Sequence, residues 1–388
     1  MFRFVYNFFS FGGVETLIAR VGNYCAETEN EAVIYCKDII SDIKAELKLN
    51  RVKVVIADKP SRQAIKDYKD GDFVITFLLN DFFLCEAETK NKKDYYKIIC
   101  YVVHINGLAY ITKYRWLNKI LFSLNRDVLF SYITNNQILF MDKQCFESTK
   151  EYYDFKNLDS SDYIIHLPMQ DIQTDSDSIK RRSIERKKEF TILTVFRSEF
   201  PFKGYVKELV YICAYLNKSF PRIKLILVTS DEDTVTLEKW VKESKKDGFS
   251  NIHIYKNIRP SKLANLYNVS SLYIGMGTTV LEAASYGVIP ITVEPYIYQC
   301  KTSGFFYDNP DIIATDIGKG KDILEFIVKI INMPDDEYIL KSYECQKIYK
   351  DLYSMHNFNN RLMKIKKTNI HYIKLIQIFE AKLYGYKH

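Results

Sequence analysis

The chain has 388 residues, 47% hydrophobic and 27% charged, which is ample for two soluble globular domains that bury their own cores without disulfides or metal. Lys and Arg exceed Asp and Glu by 55 − 48 = +7, a mild excess that suits an anionic ligand or an anionic membrane face. With no helix-turn-helix signal, zinc-finger spacing or aromatic RNA-binding motif beside it, that charge does not point to nucleic acid.

The N-terminus opens directly on a strand-like run, FRFVY, without the basic n-region or cleavage site of a signal peptide. Strands are predicted at 2–6, 32–36, 52–57, 73–78, 97–104 and 138–142, with helices at 13–27, 38–48, 60–68, 113–126 and 143–153. Continuous apolar strands separated by helices indicate a parallel sheet covered on both faces. A polar stretch from Met169 to Glu189 reads as a linker with one short helix. Its charges (Lys180, Arg181, Arg182, Arg186, Lys187 and Lys188) are expected to face water. The pattern then restarts. Strands are predicted at 190–196, 223–230, 252–258, 271–276 and 288–293, and helices at 203–217, up to about 246, at 260–268 and at 279–287.

The fold class is therefore α/β, with two Rossmann-like, doubly wound parallel-sheet domains. They are expected at 1–168 and 190–355, with a linker at 169–189. A basic helical segment, 356–388, is expected to pack back toward the first domain. Two such domains predict a cleft, and ligands of open α/β sheets bind outside the carboxyl ends of the strands. The eight cysteines form no C-x-x-C pair and sit in apolar runs, as in YKIICYVVH. They read as buried free thiols of a reducing compartment. The six histidines do not cluster with them, so no zinc site is expected. No apolar stretch reaches the ~18 residues of a membrane span.

The strongest chemical signal is IGMGTTVLEAASYGVIPI, 274–291. A strand ends, Gly275 and Gly277 flank Met276, and a helix begins after Thr278 and Thr279. Glycines admit close backbone approach, and a new helix presents free N–H groups and the positive end of its dipole. With two threonine hydroxyls this makes a seat for a diphosphate. Glu282, early in the helix, can accept from both hydroxyls of a ribose. Thr279 to Glu282 also spells a capping box, in which the glutamate serves the helix backbone.

GMGTTVLEAASYGVIPI resembles the donor-site motif of the family-4 retaining glycosyltransferases of the GT-B fold, whose Glu-Ala-x-x-x-Gly-x-Pro pattern is here Glu282, Ala283, Gly287 and Pro290. The resemblance implies that Glu282 holds the nucleotide ribose. TILTVFRSEFPFKG resembles the family's strand, then Arg, then Lys-Gly segment. This implies that Arg197 and Lys203 bind the donor pyrophosphate, where fixed cations stabilise the departing nucleoside diphosphate. NFFSFGGVETLIARV resembles the family's Gly-Gly-x-Glu loop, which would bring Gly12 and Gly13 to the donor phosphates or the acceptor. Glu15 there reads as a first-turn residue favoured by the helix dipole. The resemblance places His104, at the end of KIICYVVH, facing the transferred sugar. One departure stands out: where many members carry a second glutamate, eight residues before Glu282, this chain has Ile274.

The resemblance implies transfer of a sugar from a nucleotide-diphosphate sugar to a glycan or lipid-linked glycan acceptor, with retention, in capsule, O-antigen or lipopolysaccharide biosynthesis. No cofactor is required, since Arg, Lys and helix dipoles neutralise the diphosphate, and SDED at 230–233 reads as a loop. The expected location is the cytoplasm. The basic, amphipathic segment 111–126, with Lys113, Arg115, Lys119 and Arg126, allows a peripheral contact with the inner face of the membrane; the plainer reading packs it on the first sheet. Two rivals stand beside the enzyme: a catalytically silent subunit that binds a nucleotide sugar, and a UDP-sugar epimerase.

Overall fold

In the computed structural model the described residues are 1–9, 13–28, 30–39, 52–90, 95–108, 115–170, 176–230, 234–258 and 260–368. The side chains of 115–121, 124, 176, 260 and 261 are not among the described ones. The chain divides into two units. One is Met1–Gln170 together with the chain from Ser354 onward, the other Asp171–Tyr353.

The first unit is built on strands β1 (Phe2–Val5), β2 (Ala32–Cys36), β3 (Lys53–Ile56), β4 (Phe73–Thr76), β5 (Ile98–Val102) and β6 (Ile138–Phe140). The sheet order is β3-β2-β1-β4-β5-β6, parallel throughout. Strands β1, β2, β4 and β5 are buried at every residue, as a sheet covered on both faces requires. The one charged side chain in β1, Arg3, is paired inside with Asp72 at 2.7 Å and bonds the Tyr35 hydroxyl. The covering helices are α1 (Gly13–Glu27), α2 (Pro60–Lys66), α3 (Leu79–Thr89), α4 (Arg115–Thr134) and α5 (Lys143–Tyr153). Helix α5 is bounded at both ends. Asp142 accepts from the Cys145 N–H at its start, and Asp154 takes a left-handed φ of 50° at its end.

Two elements depart from the sequence reading. Helix α3 was not foreseen, because FVITFLLNDFFLC is apolar across strand, turn and helix alike, which hides the change of period. Asp38–Ile39 forms a short strand paired with Phe8–Phe9 where a helix was expected; the rest of that expected helix lies outside the described residues.

The second unit contains β7 (Thr191–Val195), β8 (Lys224–Thr229), β9 (Ile252–Lys256), β10 (Leu272–Gly275), β11 (Ile289–Thr292) and β12 (Gly304–Phe305). Its order is β9-β8-β7-β10-β11-β12, and only β12 runs antiparallel. Its helices are α6 (Ser176–Lys188), α7 (Val206–Asn217), α8 (Thr234–Lys246), α9 (Pro260–Val269), α10 (Thr278–Ser285), α11 (Leu324–Asn332) and α12 (Asp335–Ile348). In both sheets the chain order reverses beside the first strand, between β1 and β4 and between β7 and β10.

The basic helix α6 corrects an expectation. Its charges do not all face water. Arg186 is 2% exposed and donates to four carbonyls, those of Asn268 (3.0 Å), Gly287 (2.9 Å), Tyr267 (3.1 Å) and Tyr286 (3.0 Å). Lys187 donates to the Met333 carbonyl at 2.6 Å, at the end of α11. These carbonyls end helices, where a cation meets both orphan acceptors and the negative end of the dipole.

After the second unit the chain returns to the first through α13 (Met355–Met363), which opens on a Ser354 cap. Phe358 packs edge-on to Tyr101 at 5.7 Å, Arg361 donates to the Ser161 carbonyl at 3.0 Å, and Thr368 forms a bridge with Tyr96. All eight cysteines are buried and none is in a disulfide. Among the described residues no helix is long and apolar enough to cross a membrane.

Candidate functional site

Strands β7 and β10 are neighbours, with Leu272 opposite Ile192 and Tyr273 opposite Leu193. Their outgoing loops therefore leave side by side at the carboxyl edge of the second sheet, where the strand order reverses. That is where open α/β sheets bind ligands.

The loop after β7 carries Arg197 and Lys203. Arg197 is ion-paired with Glu199 at 3.0 Å, with the two side chains 65% and 40% exposed. Such a pair contributes little by itself, so an incoming anion can replace the glutamate. Lys203 is half-buried, its ammonium 4.6 Å from the centre of the Phe202 ring. Burial brings its pKa down to about 8. The nearby Arg197 charge contributes to that shift, and Glu199 opposes it. Two cations that repel one another in one loop are relieved by an anion between them. The loop is braced from below. A Cβ on Gly204 would lie 2.6 Å from the Ile297 carbonyl, Phe202 packs on Tyr296, and Phe200 on Trp240.

The loop after β10 carries the glycine motif, and its two glycines do different things. Gly275 is buried, and a Cβ there would fall 2.4 Å from the Tyr273 hydroxyl. It makes room for that tyrosine rather than for a ligand. Gly277 has φ +79° and open space where a Cβ would point, so its backbone both needs glycine and is approachable. Its N–H is used by the Ile313 carbonyl at 2.7 Å. Helix α10 then starts at Thr278, which is exposed, and presents its opening N–H groups and positive dipole end. The Thr279 hydroxyl is held inside the protein. It bonds the Met276 carbonyl at 3.2 Å and receives the Tyr273 hydroxyl.

The helix cap is Gly277, with no side-chain cap bond. Thr279 and Glu282 therefore both lie inside the helix, and the capping-box alternative does not form. Glu282 is half-buried and accepts from the Tyr267 hydroxyl at 3.2 Å. Ile274 is fully buried and sits within the sheet opposite Ile291.

The remaining expected residues belong to the first unit. Gly13 opens α1 and is exposed, with nothing within 4 Å of where its Cβ would be; Gly12 lies outside the described residues. Glu15 is 4% exposed in the first turn of α1. His104 stands two residues beyond the end of β5, exposed in a turn. Its Nδ1 accepts from the Asn106 N–H at 3.1 Å, which leaves the proton on Nε2 and makes that atom a donor. Of the segment 111–126, Phe122 stacks on Tyr153 at 5.2 Å and Arg126 donates to the Tyr153 carbonyl at 2.8 Å. SDED lies outside the described residues apart from Ser230.

Three residues at these edges escaped sequence reasoning. Tyr267 and Tyr273 hydrogen-bond Glu282 and Thr279 of α10 through their hydroxyls, and nothing local in the sequence marks either. Asp81, early in α3 just past β4, is fully buried. One carboxylate oxygen accepts from Asn7 at 2.7 Å and the other has no partner. Burial raises its pKa to about 7, against the Asn7 hydrogen bond and Lys37. A cavity of about 720 Å³ in the first unit, lined by Asn135, Asn136, Arg361 and Lys364 among others, opens beside the residues that lead into β6. That is the edge opposite the strand ends just described, so the cavity is separate from them. Among the described residues no group of three His, Cys, Asp or Glu could hold a metal ion.

No family model matches the sequence, and no similar sequence is found among curated proteins. Solved structures are similar over nearly the whole chain. A glycosyltransferase from Rickettsia africae aligns with a TM-score of 0.61 at 14% identity, covering 94% of this chain and 97% of its own. The lipopolysaccharide outer core galactosyltransferase WaaB aligns with a TM-score of 0.59 at 16% identity, covering 93% and 98%. Anabaena HepE in complex with UDP aligns with a TM-score of 0.59 at 12% identity, covering 92% and 97%. The chain shares the GT-B fold of these structures, two Rossmann-like units each on its own mainly parallel sheet.

Proposed function

We propose that the chain is a glycosyltransferase that takes its sugar from a nucleotide-diphosphate sugar held by the second unit. The observation that carries this reading is the pairing of two loops at the reversal of the second sheet. One supplies Arg197 and Lys203, and the other supplies the approachable backbone of Gly277 and the opening N–H groups of α10. Cations and oriented N–H groups suit a diphosphate. Glu282, one to two turns further along α10, would take the ribose hydroxyls. The solved structures of HepE in complex with UDP and with UDP-glucose support a nucleotide sugar as the donor.

In the transfer, the bond from the anomeric carbon to the leaving phosphate oxygen breaks and a bond to an acceptor hydroxyl oxygen forms. The hydroxyl proton passes to a phosphate oxygen of the leaving diphosphate on the same face, which gives retention. No protein nucleophile is needed. Arg197, Lys203 and the helix N-terminus stabilise the charge that grows on the diphosphate, and His104 offers an Nε2–H to the transferred sugar. The acceptor is a glycan or lipid-linked glycan of a surface polysaccharide pathway. A second reading, a silent nucleotide-sugar-binding subunit, is favoured by one observation. Ile274 is sealed in the sheet, so no carboxylate at that position meets the sugar.

The test is nucleotide release from a panel of UDP-, GDP-, ADP- and CDP-sugars, with the anomeric configuration of any product read by NMR. Release that falls ~10²–10³-fold in Arg197→Ala and falls also in Glu282→Ala supports the enzyme and names the donor. Saturable binding without turnover of any donor, with acceptor glycans supplied, supports the silent subunit.

A further inference from the structure

Glu282 is a partly exposed carboxylate on a long, flexible side chain, and freezing such a side chain costs rotamer entropy. A ribose that must find it in one geometry binds better if the protein has already fixed it. The structure supplies a fixing group. Tyr267, in α9, is 1% exposed and donates its hydroxyl to Glu282 Oε2 at 3.2 Å.

Tyr267 is itself held on every side that matters. Its ring lies parallel to Tyr286 at 5.4 Å and tilted against Tyr273 at 6.0 Å. Its carbonyl accepts from the buried Arg186 guanidinium at 3.1 Å, and that same guanidinium bonds Tyr286 and Gly287 at the far end of α10. One buried cation thus ties the backbone of Tyr267 to the helix that carries Glu282. Burial, and then the Glu282 charge, hold the phenol far above its usual pKa, so it stays a donor at any working pH. A carboxylate has about four acceptor positions, and the tyrosine's bond takes one of them.

We infer that Tyr267 is a positioning residue. Through its hydrogen bond it sets the Glu282 carboxylate for the ribose diol of the donor, and so helps the site prefer ribonucleotides to 2′-deoxyribonucleotides. This inference rests on the donor-site reading above. It makes Tyr267 part of the selection of the nucleotide and gives it no part in the chemistry of transfer.

The experiment measures Kd on the full chain for the nucleoside diphosphate, among UDP, GDP and ADP, that binds most tightly, and for its 2′-deoxy counterpart. The proteins are wild type, Tyr267→Phe, Glu282→Ala and the double variant, each checked by thermal melting. Phenylalanine keeps the ring and its packing on Tyr273 and Tyr286. The expected result is a roughly tenfold weaker ribonucleotide Kd in Tyr267→Phe, little change for the deoxynucleotide, and kcat within about twofold of wild type. In the Glu282→Ala background the tyrosine substitution should add nothing, since the two act as one unit. Equal weakening of both nucleotides by Tyr267→Phe, or additive effects in the double variant, overturns the inference. If Tyr267→Phe does not fold, Glu282→Gln decides. It keeps the side-chain shape and should still lose ribose preference, and retention of that preference overturns the inference. Unchanged ribose preference in Glu282→Ala would also remove the donor-site reading beneath it, so the two failures are distinguishable.

Discussion

The charged residues of the two strand-end edges behave in opposite ways. Lys203 is a cation whose burial and neighbouring Arg197 make its proton easier to lose, with a pKa of about 8. In the donor-site reading, a bound diphosphate would restore that proton. Affinity for a nucleoside diphosphate should then fall as pH rises through about 8, by roughly tenfold between about pH 7 and about pH 9. In Lys203→Ala the profile should be flat and weaker throughout. Calorimetric titration across that range checks it; an unchanged profile in Lys203→Ala would contradict the assignment.

Asp81 runs the other way. Its pKa in the fold, about 7, lies above the usual Asp value of about 3.9. Between those values the folded protein holds a proton that the unfolded chain has released, so stability falls as pH rises through the window and is level above it. Asp81→Asn keeps the shape and can still accept from Asn7. It should therefore raise stability at about pH 8, by a few kcal/mol at most, and do little near about pH 4. Thermal melts at the two pH values decide, and an equal effect at both would sink the reading.

Helix α6 is the clearest element-level lesson. From its sequence, SDSIKRRSIERKK, it is a basic helix with almost no apolar face, and a solvated surface is the natural expectation. Its place in the fold comes from helix ends elsewhere in the chain. Tyr267 and Asn268 near the end of α9, and Tyr286 and Gly287 just past α10, turn their carbonyls toward one point, and Arg186 donates to all four. Arg186→Leu would remove the one cation that these four carbonyls share. The second unit should then lose roughly 3–5 kcal/mol of stability, measured by denaturant unfolding, whereas Arg181→Leu on the exposed side should change it by less than about 0.5 kcal/mol.

What was legible follows the same division. Strands such as 32–36 and helices such as 13–27 and 143–153 carry their own period and boundaries, and their observed limits match the predicted ones. Helix α3 was missed because its apolar run continues that of β4. The Gly-rich turn before α10 was legible as a turn, since Gly277 needs its positive φ. That Gly275 serves Tyr273, and that Tyr267 holds Glu282, depends on elements meeting across the fold, and no local pattern encodes it.

At the scale of the whole molecule, the restart of the strand–helix pattern after residue 189 is what the fold repeats. Each unit has its own sheet, and each sheet reverses its order beside its first strand. The expected site residues fall on both. Arg197, Lys203, Gly277, Thr278 and Glu282 lie on the second unit, and Gly13 and His104 on the first. In the proposed function the second unit works on the nucleotide, and the first on the transferred sugar and the acceptor. The most direct test is calorimetric titration of the full chain with its preferred nucleoside diphosphate, for wild type, Arg197→Ala, Glu282→Ala and His104→Ala. A loss of tenfold or more is expected in each of the first two variants, with wild-type affinity in His104→Ala. Wild-type affinity in both Arg197→Ala and Glu282→Ala would contradict it.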